Sequence, residues 1–198
     1  MVGIGHAKFG KRTDVTIREL AHEATIPALE DAGITTADID ASVIGVANEP
    51  LAAQVSPGAL LHDYVGLGNK PMFRVEAACA TGSAGVQTAW SLIKAGLAEV
   101  VIVIGAETMT WVGTPMATEW MARAGDTRWE YPFGITFPSV YAMMATRHMH
   151  EFGTSRMQLS MVSVKSHKYG AMNPYAHLQK EVSLEEAMKS VPICQPLN

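Results

Sequence analysis

Cys79 is the residue whose type and position best fit covalent chemistry. It follows a β-prone run, PMFRVEAA at residues 71–78, and no charged residue occurs from Ala77 to Ile93. The composition of this uncharged run predicts a helix that begins directly after the cysteine. A helix N-terminus presents unpaired N–H groups and the positive end of the helix dipole, which favour a thiolate over a thiol. The same N–H groups can bind the oxyanion that forms when a thioester carbonyl is attacked.

The position of Cys79 alone supports two interpretations. A turn between a strand and a helix that projects a nucleophile is the arrangement of the hydrolase elbow, here with sulfur in place of oxygen. Free cysteines are also among the most frequently buried residue types, and a structural core cysteine fits the same position. In either case we expect the uncharged helix to lie inside the protein, because it has no polar face to present to water.

The elements that would position Cys79 alternate between strands and helices. A helix over Thr16–Ala32 is predicted from its apolar spacing, from a capping box made by Thr16 and Glu19, and from Gly33 at its end. Pro27 inside this helix is expected to kink or distort it. Strands are predicted from apolar runs at Val2–Gly5, Ser42–Ala47, Pro71–Ala77 and Glu99–Glu107. This alternation is typical of an α/β fold with a mainly parallel sheet.

The amino-acid composition changes after the fourth predicted strand. Glycine, proline and tryptophan punctuate residues 107–138, which predicts a loop excursion with short helices. Further helices are predicted at Ser139–Phe152, from Arg156 to about Tyr169, and after Ser183. His148 and His150 are two residues apart and therefore face different sides of their helix, so they make a poor metal-binding pair.

The segment around Cys79 closely resembles a known nucleophile segment. VEAACATGSAGVQTAW followed by VVIVIGAETMT resembles the thiolase superfamily, most strongly its branch of archaeal acetoacetyl-CoA thiolases and sterol-carrier-protein-type thiolases. VGIGHAKFGKR near the start and HMHEFGTSRMQLSMVSVKSHKYGAMNPYAH further on extend the resemblance along the chain. It implies the N-terminal half of an αβαβα sandwich, with an α/β core at 1–106, a loop domain at 107–180, and a return segment at 181–198 that leads to a C-terminal half.

The resemblance also implies an activity. Thiolases are acyl-CoA acyltransferases, of the acetyl-CoA C-acetyltransferase or 3-ketoacyl-CoA thiolase type, in which a cysteine is acylated by a coenzyme A thioester; here that cysteine would be Cys79. Tyr141 and Ala142 fall where the family brings its loop domain over the nucleophile, and they are candidate substrate-binding residues. The family implies coenzyme A thioesters as substrates, with no bound cofactor and no metal.

Two catalytic motifs of the family do not occur in this sequence. A thiol nucleophile and the α-proton of acetyl-CoA each need an acid or base, which thiolases supply from a G-H-P histidine and from a second cysteine that precedes a glycine. No G-H-P motif is present, and Cys194 is followed by Gln195. The chain therefore resembles an incomplete thiolase: a truncated product, a partial subunit, or one part of a split enzyme.

Two other functions share the features around Cys79. Other condensing enzymes with this fold, such as 3-hydroxy-3-methylglutaryl-CoA synthase-like or ketoacyl-synthase-like proteins, also place a nucleophilic cysteine at a helix N-terminus. A non-catalytic thiolase-like scaffold subunit is the third possibility, because the base is missing. Acyl transfer to Cys79 would separate a scaffold from an enzyme.

Composition limits the classes of partner. A net charge of −4 without any run of lysine or arginine gives no electrostatic footprint for nucleic acid. No apolar run is long enough to span a membrane, and two cysteines without a signal segment favour a reduced, cytoplasmic setting. The resemblance implies a homodimer or tetramer that pairs through the strand Pro71–Ala77. It also allows a C-terminal-half protein or a zinc-ribbon/OB-fold protein as partner.

Overall fold

The computed structural model describes residues 1–198, which separate into two compact units. The first unit contains residues 1–7 and 11–117, and the second contains residues 8–10 and 118–198.

A three-stranded parallel sheet organises the first unit. Strands β1 (Ala41–Gly45), β2 (Met72–Val75) and β3 (Val101–Gly105) are arranged in the order β2-β1-β3. Gly45 is in register with Val75 on one side and with Gly105 on the other. The carboxyl ends of all three strands therefore lie at one edge of the sheet. This arrangement confirms the predicted α/β fold with a parallel sheet.

Helices cover both faces of this sheet. They are α1 (Ile17–Ala32), α2 (Glu49–Ala52), α3 (Pro57–Tyr64) and α4 (Thr81–Lys94). Side chains from α1 and α3, including Ile17 and Leu61, share one apolar cluster with Ile44. On the other face, Val43 packs with Ala89 and Leu92 of α4. Since β1 points alternately into both clusters, all five of its residues are buried.

The ends of α1 lie where the sequence predicts them. The Thr16 hydroxyl accepts a hydrogen bond from the Glu19 N–H, the Glu19 carboxylate accepts one from the Thr16 N–H, and Gly33 closes the helix with φ 67°. The helix continues through Pro27 to Ala32.

One local prediction in the first unit is wrong. Val2–Gly5 forms no strand; this segment packs closely on α1 through its glycines, and a Cβ on Gly3 would overlap the Ala28 carbonyl oxygen. Residues 53–56 connect α2 to α3. Pro50 and Pro57 stand in the first turns of these helices, where a missing N–H costs nothing.

Helices dominate the second unit. Helix α5 (Gly113–Ala122) begins in the first unit and continues into the second, which then contains α6 (Phe137–Phe152), α7 (Arg156–Met172) and α8 (Leu184–Lys189). Capping boxes open the last three helices at Thr136, Ser155 and Ser183. Helices α7 and α8 pack against each other.

Candidate active site at Cys79

Cys79 lies in a single 3-10 turn, Ala78–Ala80, between the carboxyl end of β2 and the first residue of α4. Its thiol is free and exposed, and Cys194 is also free. The interpretation of Cys79 as a buried core side chain is therefore wrong. Strand and helix hold the cysteine in the manner of a nucleophile elbow, at the edge of the sheet where parallel α/β folds usually bind ligands.

The backbone that precedes the cysteine is in an unfavourable conformation. Ala78 has φ 47°, in the left-handed region of backbone conformation. Residues with a Cβ rarely adopt this conformation, because it costs roughly 1–2 kcal/mol. The Glu76 carboxylate accepts a hydrogen bond from the Ala78 N–H. The Thr81 hydroxyl accepts one from the Ala77 N–H and donates one to the Ala78 carbonyl. Such strain persists where the surroundings fix the backbone, and it is frequent at functional sites.

Helix α4 presents two different faces. Its buried face, which includes Gly85 and Ala89, packs on the sheet, and a Cβ on Gly85 would lie 2.8 Å from the Val103 Cγ1 atom. Its outer face carries Val86, Trp90 and Ile93, which are 46%, 57% and 45% exposed. The prediction that the helix lies wholly inside the protein is therefore wrong for this chain, because α4 contacts the sheet and its own preceding turn on one side only.

Two polar residues follow β1 and β3 at the same edge of the sheet. The Glu107 carboxylate accepts a hydrogen bond of 2.6 Å from the Ala47 N–H, and burial raises the pKa of Glu107 above its usual value. Glu107 Oε2 and Asn48 Oδ1 are buried and have no hydrogen-bond partner. Neither residue was predicted as functional from the sequence. The available signal was their position shortly after two parallel strands, whose carboxyl ends meet.

The candidate substrate-binding residues lie in α6, which belongs to the second unit, whereas Cys79 belongs to the first. Tyr141 is 52% exposed and its ring contacts that of Phe137. Ala142 is buried and helps to line an open groove of about 450 Å³. The other lining residues of this groove are Ser139, Met143, Thr146, Arg147, His150, Cys194 and Gln195. A role for Tyr141 and Ala142 in substrate binding stays a prediction.

No group of three or more histidine, cysteine, aspartate or glutamate side chains is placed to hold a metal ion. None of the helices has both the length and the apolar character needed to cross a bilayer.

Comparison with known proteins decides the family. The thiolase N-terminal domain family matches residues 1–191, almost the whole chain. The chain belongs to the thiolase family. This membership confirms the resemblance that the Cys79 segment carries.

Proteins similar to this chain occur in archaea and animals. The chain is 41% identical over 198 residues to an acetyl-CoA acetyltransferase of Methanothermobacter thermautotrophicus, covering 100% of this chain and 51% of that protein. It is 32% identical over 201 residues to sterol carrier protein 2 of Bos taurus, covering 96% of this chain and 36% of that protein. The chain thus spans about half the length of the curated thiolase relatives it matches, or less.

Two solved structures are similar in fold to this chain. A structure described as an Ltp2-ChsH2(DUF35) aldolase superposes with a TM-score of 0.80 at 30% identity, covering 99% of this chain and 50% of that chain. An acetyl-CoA acetyltransferase from Syntrophomonas wolfei superposes with a TM-score of 0.71 at 19% identity, which shows the same fold.

Proposed function

We propose that this thiolase-family chain transfers acyl groups to and from coenzyme A thioesters, with Cys79 as the covalent nucleophile. The observation that carries the proposal is an exposed thiol in a strained turn, between the carboxyl end of β2 and the N-terminus of a fourteen-residue helix. The names of the archaeal relatives, acetyl-CoA acetyltransferases, support the same reaction class.

The reaction proceeds in two steps on one sulfur atom. The Cys79 thiolate attacks the thioester carbonyl carbon, and the tetrahedral intermediate collapses by breaking the bond to the coenzyme A sulfur. Coenzyme A leaves as a thiolate that takes up a proton, and the acyl group stays on Cys79. In the second step, either a coenzyme A thiolate or the α-carbanion of a second acyl-CoA attacks the acyl-cysteine and regenerates the Cys79 thiolate.

Both steps require proton transfers that Cys79 cannot perform by itself. The sequence carries no G-H-P motif, and Cys194 precedes a glutamine. We assign these acid and base groups to polypeptide that corresponds to the remaining half of the relatives, which are about twice as long as this chain. Activity therefore depends on that polypeptide, whether it is covalently joined or a separate subunit.

The outer face of α4 supports this dependence. Val86, Trp90 and Ile93 form an exposed apolar face on the helix that follows the nucleophile. Apolar faces of this kind on soluble proteins usually mark an interface. Polypeptide that covers this face would also exclude water from the surroundings of Cys79.

A second copy of the chain is the other proposed partner. Strand β2 lies at an edge of the sheet, so its outer hydrogen-bonding groups are available to another strand. We assign self-pairing to this edge, in a homodimer or tetramer. The structural neighbour described as an aldolase includes a DUF35 protein in its description, which makes a small protein of that kind a further candidate partner.

Aldol chemistry is the second candidate function. It is favoured by the same neighbour, whose description names an aldolase and which superposes over 99% of this chain. Both candidates act on acyl-CoA thioesters, but only the thiolase reaction needs an acyl-cysteine. A non-catalytic scaffold would do neither.

Product analysis of the assembled enzyme distinguishes the candidates. Incubation of acetoacetyl-CoA with coenzyme A should yield acetyl-CoA, and Cys79→Ala should abolish this yield while Cys194→Ala keeps it. Cleavage of a β-hydroxyacyl-CoA to a carbonyl compound without coenzyme A, unaffected by Cys79→Ala, would instead establish the aldolase. The absence of both reactions would favour the scaffold.

A further inference from the structure

Thr81, the first residue of α4, hydrogen-bonds the backbone directly before Cys79. Its Oγ1 atom accepts a hydrogen bond of 3.0 Å from the Ala77 N–H and donates one of 2.7 Å to the Ala78 carbonyl oxygen. The side chain is buried, with 7% exposure. One hydroxyl therefore bridges the two residues that lead into the nucleophile, from a position shielded from water.

The backbone at Ala78 has an unfavourable conformation that hydrogen bonds must stabilise. Ala78 is one of only three non-glycine residues of the chain with positive φ. Two other hydrogen bonds act on the same turn: the Ala78 N–H donates to the Glu76 carboxylate, and the Ala80 N–H donates to the Ala77 carbonyl. Glu76 is exposed, so water competes for its carboxylate. Thr81 supplies the side-chain contact that water cannot easily replace.

The methyl group of Thr81 is fixed as well. Gly45, the last residue of β1, is buried, and a Cβ added to it would lie 2.9 Å from the Thr81 Cγ2 atom. There is no room for a side chain between the end of the central strand and this methyl group. The two branches of Thr81 thus connect the Cys79 turn to the most deeply buried strand of the sheet.

We propose that Thr81 is a positioning residue for Cys79. Its hydroxyl holds the left-handed turn at Ala78, and its methyl group packs against Gly45. The hydroxyl thereby fixes the direction in which the thiol projects. This inference rests on the proposed acyl transfer by Cys79, because attack on a thioester requires aligned reacting atoms at about 3–3.5 Å, whereas simpler thiol reactions do not.

A matched set of variants separates the two branches. Thr81→Val keeps the shape and loses the hydroxyl, and Thr81→Ser keeps the hydroxyl and loses the methyl group. Thr88→Val is the control, because the Thr88 hydroxyl donates its hydrogen bond to the Ala84 carbonyl within the same helix and not to the backbone before Cys79. In the assembled enzyme, with polypeptide corresponding to the remaining half of the relatives bound, we expect acylation of Cys79 by acetyl-CoA to fall roughly 10- to 100-fold in Thr81→Val. It should fall less than about 3-fold in Thr81→Ser and in Thr88→Val.

Alkylation by iodoacetamide supplies the readout that distinguishes positioning from general damage. This small reagent needs no bound carbonyl, so its rate with Cys79 should change less than about 3-fold in all three variants. Wild-type acylation in Thr81→Val would overturn the proposal. Equal losses of acylation and alkylation, together with a lowered melting temperature, would also overturn it, because Thr81 would then be only structural.

The contact with Gly45 predicts a second-site rescue. Gly45→Ala should displace the Thr81 methyl group and slow acylation about 10-fold or more, and Gly45→Ala combined with Thr81→Ser should recover most of that loss, because the crowded methyl group is gone. A double variant no faster than Gly45→Ala alone would contradict the contact.

Hydrogen exchange tests the positioning even if acyl transfer fails. A wild-type protein that is never acylated would refute the proposed function, not the contact. The Ala77 amide should then exchange at least about 10-fold faster in Thr81→Val than in the wild type, while the amides of Val101–Gly105 stay unchanged. An unchanged Ala77 amide would overturn the role of Thr81 independently.

Discussion

Gly85 of α4 lies directly against Val103 of β3, so closely that a Cβ on Gly85 would come within 2.8 Å of the Val103 Cγ1 atom. This contact sets the height of the helix above the sheet. Because Cys79 lies in the turn that leads directly into α4, the same contact helps to set the position of the nucleophile relative to the strand ends.

Substituting this glycine should therefore disturb the fold. Gly85→Ala is expected to lower the free energy of unfolding by roughly 1–3 kcal/mol through overpacking, despite the better helix propensity of alanine. Gly82→Ala is the matched control, since nothing lies within 4 Å of a Cβ at Gly82 in the same helix. It should be neutral or stabilising by up to ~1 kcal/mol. Urea unfolding of both variants measures the difference, and equal stability would contradict the close contact.

The outer face of α4 should bind polypeptide corresponding to the remaining half of the relatives. Trp90→Glu places a charge in the centre of this face and should reduce co-elution with the C-terminal half of the Methanothermobacter relative by at least about tenfold. Trp129→Glu alters a more exposed tryptophan, 76% exposed and in the second unit, and should leave co-elution unchanged. Equal effects of the two substitutions, or none from Trp90→Glu, would place the interface elsewhere.

Glu107 should make stability fall with rising pH. Burial raises the pKa of its carboxyl above the reference value of 4.5, so the folded state binds the Glu107 proton more tightly than the unfolded state. The resulting stabilisation is complete below pH 4.5 and is lost as pH rises through the raised pKa. Glu107→Gln carries no such charge. The free energy of unfolding of this variant relative to the wild type should therefore increase from pH 4.5 upward. A difference between the two proteins that does not change with pH would show that burial does not raise the pKa of Glu107.

Asp40 should show the opposite sign. Its carboxylate accepts hydrogen bonds of 2.8 Å from the N–H groups of Val100 and Glu99, which hold the pKa of Asp40 below its usual value of 3.8. The stabilisation is then present above pH 3.8 and is lost as pH falls through the lowered pKa. Asp40→Asn should have a lower free energy of unfolding than the wild type at neutral pH, and this difference should become smaller in acid. A difference that becomes larger in acid would refute the contact.

Predictions from the sequence succeeded where the signal was local. The capping box of Thr16 and Glu19 consists of residues three positions apart, so short-range hydrogen bonds decide it. Strand β1, in which all five residues are buried, was recognisable because a strand covered on both faces has an uninterrupted apolar run. Strand β3 was recognisable from the same kind of run, although only Ile104 in it is buried.

Predictions failed where distant contacts decide the structure. Val2–Gly5 has the composition of a strand, yet its glycines place it against the backbone of α1. Helix α4 was predicted to lie inside the protein because its outer face is apolar. Whether that face is covered depends on contacts with distant residues or other polypeptide, which the local sequence does not reveal. Thr81 could be recognised as a residue near a helix start, but its contact with Gly45 bridges 36 positions of the chain.

The central claim, that Cys79 forms an acyl-enzyme, is tested most directly by intact-protein mass spectrometry after acetyl-CoA is mixed with the chain and the C-terminal half of the Methanothermobacter relative. We expect a mass increase of about 42 Da on the protein, located on the Cys79 peptide after digestion. The adduct should be lost in Cys79→Ala and kept in Cys194→Ala. An adduct that persists in Cys79→Ala, or its absence even when the C-terminal half of the archaeal relative is bound, would contradict the account.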